Sequence, residues 1–459
     1  METYLKTTFF TLLILFLAQP KVAIAQAEPT YNSPYSILGI GDLVDQQFAS
    51  SLGMAGLSAT YHDAFHLNPL NPASLGWLRT TAFETAFFGN YAQQEASNGQ
   101  SDDVWSGNLN YVALGFTLKN PINEALDRII PNFGIGMMFS LMPYSTVSYD
   151  IEVTAPLNEA SDLNSVGAFQ GTGGTYRLNW GTGARYKTLS FGVNLGYLFG
   201  RINNTRRVLL EDESVYYFND FADDINLNGF LWNLGVGYDY QFKEADKNGE
   251  LKPNGKRIAI GAYLNSNTNF NTNSDRLYRR VFSITSSSTL PLNLRSDTLV
   301  NETEVLRSGR LPAAYTFGIS YIDENKLLVG LEYNATLWSN YENEAKPDQL
   351  NDIFRLSAGV EWIPDYLSYN SYLKRVRYRL GVFYQSDPRS IDGEQLERVG
   401  ATFGMGLPLI LPNRQTSFVN FALEGGQFGL SNAIRENYIK FTLGFTLNDN
   451  SWFFKRKFD

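Results

Sequence analysis

The sequence predicts an all-β fold: an antiparallel transmembrane β-barrel of about 14 strands, with about 16 as the alternative, closed around an N-terminal hatch. Three observations carry that expectation. Apolar residues alternate with small or polar ones over runs long enough for a tilted strand to cross a bilayer, which takes roughly 9–11 residues. The chain holds 32 Phe, 27 Tyr and 39 Gly but only 18% charged residues, a composition that suits strands and the wet edge of a lipid layer. No Pro-rich, Ser/Gly-rich or long charged linker divides the 459 residues, although a soluble chain of that length would split into several domains.

The N-terminus reads as a signal peptide over residues 1–25. Lys6 precedes an apolar run over residues 7–18, Pro20 ends it, and Ala23-Ile24-Ala25 supplies a small-x-small cleavage pattern. At 1.5 Å per residue such a run falls short of ~30 Å of hydrocarbon, so it is not an anchoring helix. Residues 26–79 lack alternation, are rich in Gly, Ala, Ser and Asn, and contain Pro34, Pro69 and Pro72. Irregular backbone cannot face lipid, because its N–H and C=O groups would go unpaired, so this segment belongs inside the barrel as a plug.

The barrel is expected over residues 80–459. Leu189, Phe191, Val193, Leu195, Tyr197 and Phe199 alternate with Ser190, Gly192, Asn194 and Gly196. Phe230, Trp232, Leu234, Val236, Tyr238 and Tyr240 repeat the device, as do the runs through Leu331, Leu356 and Phe441. Successive strand side chains point to opposite faces, so one face is greasy and the other lines a wet lumen. Glu332, Arg355, Glu361 and Lys440 fall on the second face, where charge is tolerated. Residues 203–226 and 268–308 read as outer loops or strand extensions. Residues 122–130 read as a short helix between Pro121 and Pro131. Glycines at 134 and 136, 235 and 237, and 404 and 406 fall within strands rather than between a strand and a helix. They are expected to admit the hatch backbone or to kink the wall, not to cradle phosphate.

Several chemistries are excluded. A net charge of −9 opposes nucleic-acid binding. The absence of cysteine removes disulfides, iron–sulfur centres, thiol nucleophiles and lipid attachment through a thiol. The two histidines, His62 and His66, flank Asp63 in a His-Asp-x-x-His pattern that would place both rings on one face of a helix. Zinc or catalysis would need further ligands or an oriented nucleophile, and no Gly-x-Ser-x-Gly, His-Glu-x-x-His or phosphate loop is present. No enzyme, metal or cofactor is therefore expected, and the histidines are assigned to polar contacts between hatch and wall. Arg276, Arg279 and Arg280 beside Tyr278 could meet a carboxylate or lipopolysaccharide phosphate, or form a solvated loop face. Trp338, Trp362, Trp452 and Phe453 are candidate membrane-interface anchors, with Lys455-Arg456-Lys457 in water beyond them.

The run Ser51-Leu52-Gly53-Met54-Ala55-Gly56, then Asp63, then Asn68-Pro69-Leu70-Asn71-Pro72-Ala73, resembles the N-terminal hatch of the FadL family. The Asn32-Ser33-Pro34-Tyr35-Ser36 opening, Gly39-Ile40-Gly41-Asp42, Gly171-Thr172-Gly173-Gly174 and the end from Glu436 to Trp452 resemble Bacteroidetes-like members. Asn68-Pro69-Leu70 stands where the family more often has aromatic residues, and the chain ends past its last aromatic strand signal. The resemblance implies a fourteen-stranded outer-membrane barrel for passive uptake of hydrophobic or amphipathic small molecules, such as long-chain fatty acids or aromatic hydrocarbons. Asn71, Pro72, Ala73, His62 and His66 would form the hatch gate, and a strand kink would open a lateral gap for an apolar ligand. The implied partners are outer-membrane lipid and lipopolysaccharide, a hydrophobic ligand and the barrel-assembly machinery. The alternative is a PorV-like barrel that serves a protein secretion system as shuttle or scaffold. A transporter would keep an apolar pocket continuous with a lateral opening, whereas a scaffold would show a sealed lumen and a protein partner.

Overall fold

A computed structural model describes residues 33–97, 99–119, 132–156, 164–210, 216–245, 251–283, 295–411 and 415–449. The leader at 1–25, the helix expected at 122–130, and Trp452 and Phe453 lie outside the described residues.

Alternation produces the strands, and strand pairing closes them into a cylinder. The wall begins with β2 (Thr81–Ala96), β3 (Ser101–Thr117), β4 (Phe133–Pro156), β5 (Asn164–Tyr186), β6 (Leu189–Leu210) and β7 (Tyr216–Ala245), after a two-residue strand β1 (Asp42–Leu43) in the segment that precedes it. Next come β8 (Leu251–Asn265) and β9 (Thr268–Ser283), which both pair with β7 and so form one interrupted stave. In the same way β10 (Arg295–Leu311) and β11 (Ala314–Asp323) pair with β9 and β8 and form another. The remainder are β12 (Leu327–Thr336), the short β13 (Glu342–Asn343) on β10, β14 (Ile353–Trp362), β15 (Arg377–Ile391), β16 (Glu394–Leu411), β17 (Gln415–Gly429) and β18 (Ile434–Asp449). Every pairing is antiparallel, and β18 closes on β2 from Ile434↔Ala96 to Asp449↔Thr81. Among the described residues this is a closed barrel of 14 staves.

The parity expected from the sequence holds. Phe191, Leu195, Phe230 and Leu234 are exposed on the outer face, while Asn194, Asn233 and Asp239 are buried toward the lumen. Glu332 and Glu361 also point inward and are buried.

The two rims differ. At the rim where β2 begins and β18 finishes, turns such as Lys187 and Asn325 are tight and take positive φ. Short turns mark the periplasmic side of such barrels. At the other rim the wall is tall on one flank only: β7 runs for 30 residues and β4 for 24, against 10 each for β12 and β14. The described parts of the two stretches, 203–210, 216–226, 268–283 and 295–308, thus build strand extensions above the membrane. Arg276 pairs there with Asp223 at 2.8 Å and Arg279 with Asp220 at 2.7 Å, so neighbouring carboxylates already meet these guanidiniums.

One expected anchor is corrected. Trp338 is not at the lipid boundary but only 3% exposed inside the barrel. Trp338 shares the even, lumenal parity of Glu332, and where Leu337 leaves the strand region a 3-10 turn over Trp338–Asn340 sets the ring against Tyr341 inside. It joins an apolar cluster with Ile40 and Phe270. Trp362 lies on the outer face at the periplasmic end of β14, 49% exposed.

Candidate lumenal site and lateral seam

Residues 33–80 thread the lumen, and glycines in the wall make room for them. A Cβ at Gly404 would lie 2.7 Å from Gly53 Cα, one at Gly134 2.2 Å from Gly76 O, and one at Gly235 2.1 Å from Asn71 Oδ1. Gly192, Gly261, Gly359 and Gly381 are crowded in the same way by the backbone of Pro72, Ala59, Met54 and Ala55. These glycines come from strands all round the cylinder, so one level of the lumen is filled backbone against backbone. The expectation that wall glycines admit the N-terminal backbone is met at Gly134, Gly136 and Gly404; at Gly235 the crowding groups are the Asn71 and Pro72 side chains, and at Gly237 and Gly406 the wall's own Ser190 and Arg379.

Wall charges meet the irregular backbone's polar groups. Glu332 accepts hydrogen bonds from Ser58 N at 2.7 Å and Ala59 N at 2.6 Å, and Glu84 accepts from Leu67 N at 2.6 Å. Asn194 and Asn233 donate to the carbonyls of Pro69 and Leu70. Such pairing offsets the cost of burying open backbone.

The expected gate residues lie in this filled floor. Asn71 caps a 3-10 turn over Pro72–Trp77: its side-chain oxygen accepts from Ala73 N at 3.1 Å, and its Nδ2 donates to Ala59 O at 2.6 Å. Asn at the cap and Pro at the first position of the turn are what a chain needs to start one there. His62 and His66 are not on a helix and do not converge. His62 Nδ1 donates to Thr60 O at 2.9 Å, its ring stacks on Trp77 at 4.3 Å, and Nε2 is 3.5 Å from Asp239. His66 Nδ1 lies 3.2 Å from Asp63, and its Nε2 accepts from Asn420 at 3.1 Å. Burial lowers both histidines, His62 to about 4, so both rings are neutral at neutral pH. Burial alone would raise Asp63, but Arg377 at 2.6 Å and His66 hold it well below the usual carboxylate range.

Above the floor lies a cavity of about 560 Å³. None of Asn71, Pro72, Ala73, His62 and His66 lines it; the floor contributes Leu70. Its walls are mixed. Phe88, Leu231, Trp338 and Phe428 supply apolar surface, and five cations (Arg177, Arg355, Arg389, Arg398, Lys440) face five carboxylates (Asp42, Asp45, Glu332, Asp387, Glu436). Two of those carboxylates belong to the inner segment. Asp42 pairs with Arg389, and Asp45 sits 3.1 Å from Arg355, 3.5 Å from Arg398 and 3.6 Å from Lys440. Burial would push Asp45 up, but the three cations hold it well below the usual range. Parity placed Arg355 and Lys440 in the lumen; Asp42 closes the Gly39-Ile40-Gly41-Asp42 motif without a role assigned to it there, and no motif in the sequence identified Asp45, Arg389 or Arg398.

One seam of the wall parts at this cavity. β3 and β4 pair only from Thr117↔Gly136 to Val112↔Leu141, and residues 101–111 of β3 have no partner on β4. The cause is local. The β2–β3 register shifts between Ala86↔Tyr111 and Phe87↔Leu109, leaving Asn110 as an extra residue in β3, and such a bulge bends its strand. On the other side Pro143, which has no N–H, follows just beyond the last pair, at a second register shift. The freed edge of β4 is taken by the inner segment instead. Asp42↔Thr146 and Leu43↔Ser145 pair antiparallel, Val44 N donates to Tyr144 O at 3.1 Å, and Ser33 N donates to Ser148 O at 2.8 Å. The cavity reaches both sides of the seam, touching Ser106, Gly107 and Asn108 on β3 and Tyr144, Thr146 and Ser148 on β4.

Residues 5–459 match the model of a family described as BamG. The fold is similar to that of a Pseudomonas aeruginosa FadL homologue, 11% identical with a TM-score of 0.53, over 89% of this chain and 99% of that one. It is also similar to the Pseudomonas putida toluene transporter TodX, 14% identical with a TM-score of 0.51, over 90% of this chain and 100% of that one. At such identity the likeness is one of fold. No curated protein matches the chain.

Proposed function

The chain belongs to the BamG family, and from that premise we propose that it is an outer-membrane barrel through which hydrophobic or amphipathic small molecules pass sideways, from the lumenal cavity into the membrane. The observation that carries this reading is the parted β3–β4 seam, which the 560 Å³ cavity reaches from within. The filled floor supports a sideways route over a straight one, because residues 48–78 occupy the lumen on the periplasmic side. In this reading residues 33–80 act as the hatch, and β1, lying on the edge of β4, is the part that moves to clear the seam. Asn71, Pro72, Ala73, His62 and His66 hold the floor rather than contact the ligand. The cavity wall supplies aromatic surface for an apolar body and paired charges for a polar end.

The test is uptake into liposomes carrying the purified chain, comparing a labelled fatty acid with a small ion. The proposal expects passage of the fatty acid with little ionic conductance, and loss of that passage when Ser106→Trp and Asn108→Trp fill the seam. Unchanged passage in the filled variant sinks the lateral route.

A second reading is favoured by one observation, the near-full-length match to a family whose name hints at the barrel-assembly machinery. Here the chain is a scaffold that binds other components and the filled floor is its permanent state. Passage of neither solute by the wild type, together with stable co-purification of assembly components from native membranes, favours this reading over the first.

A further inference from the structure

The connection from β14 to β15, residues 363–376, is folded yet turns its apolar side chains outward. Both ends are anchored, with Ile363 4% and Val376 0% exposed. Asp365 N donates to Lys374 O at 2.8 Å, Arg375 N to Tyr372 O at 2.9 Å, and Tyr378 Oη to Leu373 O at 3.2 Å. Between these ties Leu367 is 84% exposed, Tyr369 96% and Leu373 66%, with Tyr366 and Tyr372 also exposed. A built loop that holds large apolar groups away from its own core points to an apolar or half-apolar environment outside the protein.

Position and charge select that environment. The outward run of β14 ends at Trp362, whose ring lies 6.0 Å from that of Tyr378 on β15. Aromatic pairs of this kind mark the edge of the hydrocarbon, so the loop begins where lipid tails end. Three tyrosines at positions 366, 369 and 372 carry apolar rings with polar tips, the side-chain type suited to the headgroup layer. Lys374 and Arg375 follow directly, Arg375 resting over the Tyr372 ring at 5.5 Å. The loop's one carboxylate, Asp365, is engaged as acceptor for Leu367 N. The surface is therefore apolar and cationic, complementary to an anionic phospholipid layer.

We propose that residues 363–376 form a lipid-binding lobe that inserts Leu367, Tyr369 and Leu373 among the headgroups of the periplasmic leaflet and reads anionic phospholipid through Lys374 and Arg375. The lobe pins one side of the barrel, on staves well away from the β3–β4 seam, and does not depend on what crosses that seam.

Because the chain has no cysteine, a single spin label reports cleanly. Leu367→Cys and, as a control in a tight turn at the same rim, Glu324→Cys are labelled in the full chain. Both are reconstituted in vesicles of phosphatidylethanolamine with phosphatidylglycerol, after heat-modified gel mobility confirms closed barrels. The proposal expects the ratio of oxygen to aqueous nickel-complex collisions to be about fivefold higher at 367 than at 324. It expects the difference to shrink when Lys374→Gln and Arg375→Gln are added or phosphatidylglycerol is omitted. Equal access of the nickel complex to both labels overturns it. Shelter of the 367 label in native membranes but not in the vesicles also overturns it, and assigns the surface to a protein partner.

Discussion

Asp45 Oδ1 accepts a hydrogen bond from Arg355 at 3.1 Å, joining residues 310 positions apart in the chain. The same carboxylate faces Arg398 and Lys440, so one side chain of the inner segment neutralises cations from β14, β16 and β18. Removing it leaves like charges facing one another in a confined space. Asp45→Asn is expected to weaken docking of residues 33–47 by about 3 kcal/mol, the usual consequence of stripping one partner from a buried ion pair. Hydrogen exchange of those amides should accelerate sharply while exchange in β14 and β16 stays slow. Unchanged exchange over 33–47 would show that backbone pairing to β4 suffices.

The glycine contacts give a second prediction with an internal control. A methyl group at Gly192 would sit 2.3 Å from Pro72 C, and both sides are backbone, so neither can give way cheaply. Gly192→Ala is expected to cost about 1–3 kcal/mol and to lower the temperature at which the detergent-solubilised barrel loses its compact gel mobility. Gly425→Ala, with nothing within 4 Å of its new Cβ, should leave that temperature unchanged. Equal effects at the two sites would contradict close packing at the floor.

Acid should loosen the floor through His62. Its docked value is about 4, against an ordinary 6.5, because burial outweighs Asp239. The undocked ring binds a proton between those values and the docked ring does not, so stability is fully present above pH 6.5 and declines as pH falls toward 4. The full loss is about 3 kcal/mol. Protection factors of the amides around 58–66, corrected for the intrinsic pH dependence of exchange, should fall between pH 7 and pH 5 in the wild type and show a flatter profile in His62→Gln. Asp63, held low by Arg377 and His66, adds a further loss only below the ordinary carboxylate range. Identical profiles for the two proteins would remove His62 from the account.

Deleting Asn110 removes the extra residue from β3 and restores an unbroken β2–β3 register. Without the bend, β3 should continue along β4 past Leu141 and compete with β1 for that edge. Fatty-acid passage is expected to fall several-fold with the barrel still closed. A fully active deletion would mean that Pro143 alone parts the seam.

How much of this could be read from the residues depends on how local each cause is. Strand parity is a two-residue repeat, so the lipid face through Phe191 and Phe230 and the lumenal place of Glu332 and Lys440 followed from the sequence. Even the rule that wall glycines admit a backbone was legible, because such residues sit in strands where side chains would otherwise pack. Trp338 was misplaced because it was read by residue type, as an aromatic at a strand end, although it shares the even, lumenal parity of Glu332; the 3-10 turn over Trp338–Asn340 keeps the ring inside.

By itself, then, the sequence determined an antiparallel barrel with a greasy outside, a wet inside and an irregular N-terminal segment within. Only the tertiary structure decided that Asp45 meets Arg355, Arg398 and Lys440, that Asn110 marks the bend of β3, and that β1 takes the edge β3 leaves. Each of these depends on register around a closed cylinder. Register is set by every strand pairing together, so no window of neighbouring residues contains it.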